Sequence, residues 1–194
     1  MKPNAWPHLL LVILWLFATP CGAVHAWGFD ELMASLASVA RVRAEFVEEK
    51  HIGLLQGPLE IHGRLEYDAP DRLARRIDGP GGREFLVEGE RVTLRDGDQT
   101  RSLSVHDHPA IGALVAAIRA TLAGDAAGLR QHFVTSLSGD RAAWQLELRP
   151  LDPELHRYVR RLLLTGSEHR VSRITTEEQN GDLTVTTLLR QEIR

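Results

Sequence analysis

Between residues 59 and 77 the chain reads LEIHGRLEYDAPDRLARRI, and the first part of this stretch alternates strictly. Leu59, Ile61, Gly63, Leu65 and Tyr67 take the odd positions; Glu60, His62, Arg64, Glu66 and Asp68 take the even ones. A period of two puts the two sets on opposite faces of one β-strand. Ala69-Pro70-Asp71 interrupts the pattern, because proline offers no N–H to a ladder and restricts its neighbour. Alternation then resumes with Leu73 and Ile77 set against Arg72, Ala74 and Arg76. The pattern predicts two consecutive antiparallel strands with one apolar and one very polar face. Arg75 falls in phase with Leu73 and Ile77 and so points to the apolar side, where a charge needs a partner.

The remaining periodicities extend this sheet. Residues 29–42 (FDELMASLASVARV) carry Phe29, Leu32, Leu36 and Val39 at helical spacing, with Asp30 placed to act as N-cap. Residues 44–52 predict a first strand with Phe46 inward. Short runs at 84–88, 91–95 and 101–105, joined by Gly89 and by Asp96-Gly97-Asp98, read as a meander. Residues 109–124 (PAIGALVAAIRATLAG) break the β pattern: proline near the start, glycine at the end and a wide apolar stripe indicate a helix. A short helix is expected over 125–132, a strand over 142–148 and a helix or turn over 151–158. Three last strands follow at 159–164, 171–177 and 183–189, the final two joined by Asn180-Gly181. This amounts to about nine or ten strands, and a strongly curved sheet of that size closes or nearly closes on itself. The fold class is therefore mainly β with helices (α+β), and the concave face must be filled by side chains, a helix or a ligand.

Composition changes the picture at the N-terminus. Lys2 followed by LLLVILWLFA reads as a secretory signal, with Val24-His25-Ala26 placing cleavage before Trp27. Cys21 makes a lipidated N-terminus the rival, but Pro20 directly before it is a poor lead-in. Cleavage at Ala26 removes about 26 of the 194 residues and the single cysteine, and moves the formal charge from −3 to about −4. Export without disulfides points to a periplasm, the remaining length suits one domain over 27–194, and mild acidity argues against nucleic acid as a partner.

Candidate chemistry is sparse. There is no G-x-S-x-G, H-E-x-x-H, Walker loop or G-x-G-x-x-G. His106-Asp107-His108 could share a metal only on extended backbone, and its position before Pro109 suits a helix cap better. Ser104 beside His106 lacks any third group. No catalytic residue, metal or cofactor is expected. Arg64, Arg72 and Arg76 read as a solvated outer face paired with Glu60, Glu66 and Asp68, or else as a docking patch.

The order of elements resembles the LolA family of periplasmic outer-membrane lipoprotein carriers. The resemblance rests on Val42-Arg43-Ala44-Glu45-Phe46, on the glycine-led strand and proline turn from Gly63 to Leu73, and on Leu86-Val87-Glu88-Gly89-Glu90-Arg91-Val92. The helical segment 109–124, Leu148-Arg149-Pro150 and Asn180-Gly181-Asp182 complete it. It implies an unclosed β-barrel capped by the N-terminal helix and a mid-chain helical lid, with acyl chains of a lipoprotein or lipid between them. It also implies a monomer that receives cargo from an inner-membrane donor and passes it to an outer-membrane acceptor. Three features depart from the classical carriers. Ala69 stands where an arginine often latches the lid, the chain stops at Arg194 without a C-terminal extension, and the loop 78–83 has no counterpart.

On this reading the cavity wall comprises Leu65, Tyr67 and Leu73 from the opening strands, and Phe85 and Val87 from the next. The helix contributes Ile111, Leu114 and Ile118, and the strand at 142–148 contributes Trp144 and Leu146. Arg75 is the candidate for a headgroup or lid contact in place of the missing latch. A non-catalytic structural or interaction module with a self-filled core is the alternative.

Overall fold

The computed structural model describes residues 27–79, 82–105 and 109–194, with backbone alone at 109–111 and 113–114. The expected signal segment, with Cys21, and the His106-Asp107-His108 cluster lie outside the described residues.

Among the described residues, eleven strands form one antiparallel sheet that does not close into a barrel. The N-terminal strands are β1 (Arg41–His51), β2 (Leu59–Asp68), β3 (Arg72–Ile77), β4 (Arg83–Glu88), β5 (Arg91–Asp96) and β6 (Gln99–Ser104). The C-terminal strands are β7 (Phe133–Gly139), β8 (Trp144–Pro150), β9 (Val159–Ser167), β10 (Arg170–Glu178) and β11 (Leu183–Ile193). Both sets are meanders of hairpins, and β11 returns to pair with β1, so the spatial order is β6-β5-β4-β3-β2-β1-β11-β10-β9-β8-β7.

Four helices lie among the described residues: α1 (Phe29–Ala37), α2 (Pro109–Leu122), α3 (Ala126–His132) and α4 (Pro153–His156). This order dictates where the lid runs. The chain leaves the sheet at one edge, β6, and must re-enter at the other edge, β7. α2 and α3 make that passage across the concave face, where α2 packs against α1, α3 and α4. At about 1.5 Å per residue the fourteen residues of α2 reach roughly 21 Å.

Three expectations need correction. α1 ends at Ala37, not at 42, and β1 starts at Arg41. Val42 pairs with Tyr67 on one side and Ile193 on the other, so long-range sheet pairing overrides the helical spacing that ran through it. The N-cap is Gly28, whose amide donates to Glu31 Oε2 at 3.0 Å, while Asp30 sits in the first turn and accepts from Arg130. Residues 133–139, which carried no expected element, form edge strand β7. Its run of Ser, Thr and Gly gives a weak period, and Val134 points outward, 55% exposed.

Two buried clusters lie on the concave side. One gathers Leu32, Met33 and Leu36 of α1, Leu129 and Phe133, and Trp144, Leu146 and Leu148 of β8. The other gathers Val42, Tyr67, Leu73, Val87 and Val92 beneath Val115 of α2. α2 spans both, with Ala117 and Ala120 in the first cluster and Val115 in the second.

Candidate ligand cavity

The site is best built from the register. In an antiparallel sheet, partners across neighbouring strands form rows, and inward rows lie two residues apart. One inward row runs Val42, Tyr67, Leu73, Val87, Val92 across β1 to β5. Every member is buried, and Tyr67 and Val87 have no exposed surface. The next row runs Ala44, Leu65, Arg75, Phe85, Leu94, and the one after it Phe46, Gly63, Ile77, Arg83, Asp96. On the other side of β1, Glu48 pairs with Thr186, which faces Ile174, and Ile174 faces Leu164.

Between these later rows and α2 lies a cavity of ≈ 520 Å³. Its roof is Ala117, Ile118, Thr121 and Leu122 of α2. Thr121 is buried with its hydroxyl donating to Ala117 O at 2.8 Å. The sheet contributes Leu65, Ile77, Phe85 and Leu94 on one wall and Leu162, Leu164, Ile174 and Leu188 on the other. Glu48, Lys50, Thr176, Thr184 and Thr186 add a polar strip along the β1–β11–β10 side, and Arg75 reaches it from β3.

The polar strip has a specific construction. Gly63 stands directly across from Phe46. A Cβ there would come within 2.7 Å of the Phe46 ring and would run into Arg76 O, so the absence of a side chain lets the ring lie over β2. Arg75 then lies on that ring, its guanidinium carbon 4.6 Å from the ring centroid. It reaches Glu48, with Nη2 at 2.9 Å from Oε2. Nη2 is buried, and the angle of that contact is not a hydrogen-bonding one, so the link is an ion pair without a hydrogen bond. The Thr186 hydroxyl donates to the same Glu48 oxygen at 2.9 Å, and Lys50 Nζ lies 3.7 Å from the other. Glu48 is only 6% exposed.

Of the expected wall residues, Leu65, Arg75, Phe85 and Ile118 border this cavity. Tyr67, Leu73 and Val87 do not: they form the row one step further along the strands, where Val115 packs onto the sheet. Trp144 and Leu146 belong to the filled cluster under α1, α3 and α4. The side chains of Ile111 and Leu114 lie outside the described residues. Strand phase reports which face a residue takes, not how far along the strand the covering helix stops, and this is why one inward set divides between core and cavity. Glu48 and Lys50 were missed, although the alternation that turns Phe46 inward carries both of them to the same face.

Arg75 makes its ion pair within the sheet. The contact between α2 and the strand turns falls to Arg119, which donates through Nη1 to Gly89 O at 2.8 Å and lies 3.9 Å from Asp71. Arg119 thus ties the helix to the β2–β3 and β4–β5 turns. Nearby, burial pushes the Tyr67 hydroxyl above its ordinary value; Arg119 opposes and Asp71 adds to the shift. No hydrogen-bond partner reaches that hydroxyl among the described residues.

Glu84, which also borders the cavity, joins Arg76 and Arg95 at 2.8 Å each. Arg72 pairs with Asp68, which also accepts from Arg41 and Arg43, and Arg76 with Glu66. Among the described residues, no group of three or more His, Cys, Asp or Glu side chains is placed to hold a metal, and no helix is long and apolar enough to cross a membrane.

A family model described as outer membrane lipoprotein carrier protein LolA-like matches residues 20–191. No curated protein matches the chain. Among solved structures, similarity is found to a LolA superfamily protein of Nitrosomonas europaea, 12% identical over 87% of this chain and 94% of that one, with a TM-score of 0.49. A putative outer membrane lipoprotein-sorting protein domain of Vibrio parahaemolyticus is 11% identical over 86% of this chain and 92% of that one, with a TM-score of 0.47. The MucA/MucB complex of Pseudomonas aeruginosa aligns at 14% identity over 85% of this chain and 56% of that one, with a TM-score of 0.48.

Proposed function

We propose that this chain, which belongs to the LolA-like family of outer membrane lipoprotein carrier proteins, is a non-catalytic periplasmic carrier. It holds acyl chains of a lipoprotein or lipid in the cavity beneath α2 and moves them towards the outer membrane. The observation that carries this reading is the cavity itself: ≈ 520 Å³ between a curved sheet and a helix, walled mostly by leucine, isoleucine and phenylalanine. Each methylene buried there contributes about 0.8 kcal/mol, so a long chain binds usefully without a dedicated recognition motif. On this reading residues 1–26 are a signal peptide and 27–194 the carrier domain. The protein acts as a monomer between an inner-membrane donor and an outer-membrane acceptor.

Native mass spectrometry of the purified chain tests the proposal, with co-purifying acyl lipid as the expected result. A consistently empty protein that takes up no fluorescent fatty acid would sink it. The second reading, an interaction module with a self-filled core, draws support from the other buried cluster on the concave face, where Phe133 and Trp144 pack with Leu129, Leu146 and Leu148. Ile118→Asp separates the two. The carrier reading expects lost lipid uptake with the far-ultraviolet spectrum and cooperative unfolding retained, whereas a self-filled core would unfold.

A further inference from the structure

We propose that the ligand is an amphiphile with a single long chain and one negative charge at its head, seated with that head between Arg75 and Lys50. The inference rests on the carrier reading and narrows it to a substrate class.

The first support is the balance of charge on the cavity wall. Arg83 faces Asp96 at 3.4 Å, and Glu84 is held by Arg76 and Arg95. Those groups answer one another. The polar strip is different: among the described residues Glu48 is the one carboxylate set against both Arg75, at 2.9 Å, and Lys50, at 3.7 Å. Two cations share one anion, and Thr186 already donates to that anion. An uncompensated cation in a partly desolvated site needs an anionic partner. Arg75 is prepared to take one. Its guanidinium carbon lies 4.6 Å from the centre of the Phe46 ring, and Nη2, ion-paired with Glu48 at 2.9 Å, makes no hydrogen bond among the described residues, so the rest of the guanidinium fork can meet a carboxylate or phosphate.

Size is the second support. At ≈ 520 Å³ the cavity falls within the roughly 300–1,000 Å³ of pockets that hold one small ligand, and one acyl chain is a ligand of that class. Polarity is the third. Lys50, Thr176, Thr184 and Thr186 lie on β1, β10 and β11, and Arg75 reaches towards them from β3 through Glu48, while Leu65, Phe85, Ile118, Leu122, Leu164 and Leu188 supply the apolar wall. The chain runs along the apolar positions with its head at the polar ones.

The test is equilibrium displacement of a neutral fluorescent probe, N-phenyl-1-naphthylamine, from the delipidated full chain. The competitors are palmitate, hexadecyl phosphate, hexadecanol and a two-chain phosphatidic acid. The expected result is 1:1 binding of both anions at least tenfold tighter than hexadecanol, with the tighter of the two anions identifying the head as carboxylate or phosphate. Lys50→Gln should cut that preference, read as the ratio of anion to hexadecanol affinity, several-fold. Arg75→Gln alone strands Glu48, so the double variant Arg75→Gln/Glu48→Gln is the cleaner probe: its ratio of anion to hexadecanol affinity should fall until no preference remains. Equal affinity for hexadecanol and palmitate in the parent overturns the anionic head while leaving the carrier reading intact. Tighter binding of the two-chain lipid than of either anion overturns the single chain. Failure of every competitor to displace the probe overturns both this inference and the carrier reading.

Discussion

Two positions in the sheet use the same local device to different ends. Across β1 and β2, Phe46 faces Gly63; across β8 and β9, Trp144 faces Gly166. In each pair the glycine lets an aromatic ring lie over the neighbouring strand, and a Cβ at Gly166 would run into the Trp144 ring just as one at Gly63 meets Phe46. Around Trp144 the flanking inward residues are Leu146, Leu164 and Val171, and the indole N–H donates to Glu168 O at 3.0 Å. The ring is sealed, apolar on its faces and satisfied at its one polar atom. Around Phe46 the flanking inward residues include Arg75 and Glu48, so the ring becomes a platform for a guanidinium at the edge of a cavity. A glycine–aromatic pair thus sets where a ring lies, and the neighbouring rows decide whether it closes a core or floors a binding site.

The contrast can be broken at either end. Trp144→Ala should cost about 3–5 kcal/mol, as for other buried aromatic truncations, and should leave ligand binding per folded molecule unchanged; urea unfolding with a parallel binding titration checks both. Gly63→Ala should cost about 1–3 kcal/mol through overpacking and should also weaken anionic ligands, because the Phe46 ring and Arg75 must move together. A Gly63→Ala protein with normal stability and binding would remove the platform role. Phe46→Leu should cost less, about 1 kcal/mol, and lower the anion preference without closing the cavity.

Acid should not distinguish the two halves. Glu84 is held below the ordinary carboxylate range by the Arg76 hydrogen bond, and Glu147 by that of Arg149, in each case against burial. Burial raises Asp68, but hydrogen bonds from Arg41 and Arg43 more than offset it. Groups whose folded values are depressed contribute stability that is present above the unfolded value near pH 4. It is lost as pH falls through the folded values, so denaturation midpoints should drop below about pH 4 while staying flat from pH 6 to 8. The smallest effect is expected for Glu84→Gln, about 0–1 kcal/mol by thermal unfolding, since its partners Arg76 and Arg95 are half exposed.

Much of this architecture was legible without coordinates. Alternation over 59–77 placed β2 and β3 and their faces, the Asn180-Gly181 turn placed the last hairpin, and the apolar run from Pro109 marked α2 as a covering helix. Arg75 stood out because its phase contradicted its charge. Glu48 did not stand out, although the same alternation turns it inward. Its meaning comes from Thr186 and Arg75, one from the far end of the chain and the other two strands away in the sheet.

Local periodicity determines the face of each strand and the type of most elements, since both are properties of neighbouring residues. It cannot determine which inward row is core and which is cavity. That depends on α2 crossing from the β6 edge to the β7 edge and packing on the row of Tyr67, Leu73 and Val87 while leaving the row of Leu65, Arg75 and Phe85 open beneath it. The crossing follows from β11 closing onto β1, a pairing between the two ends of the domain, and only the folded chain brings those ends together.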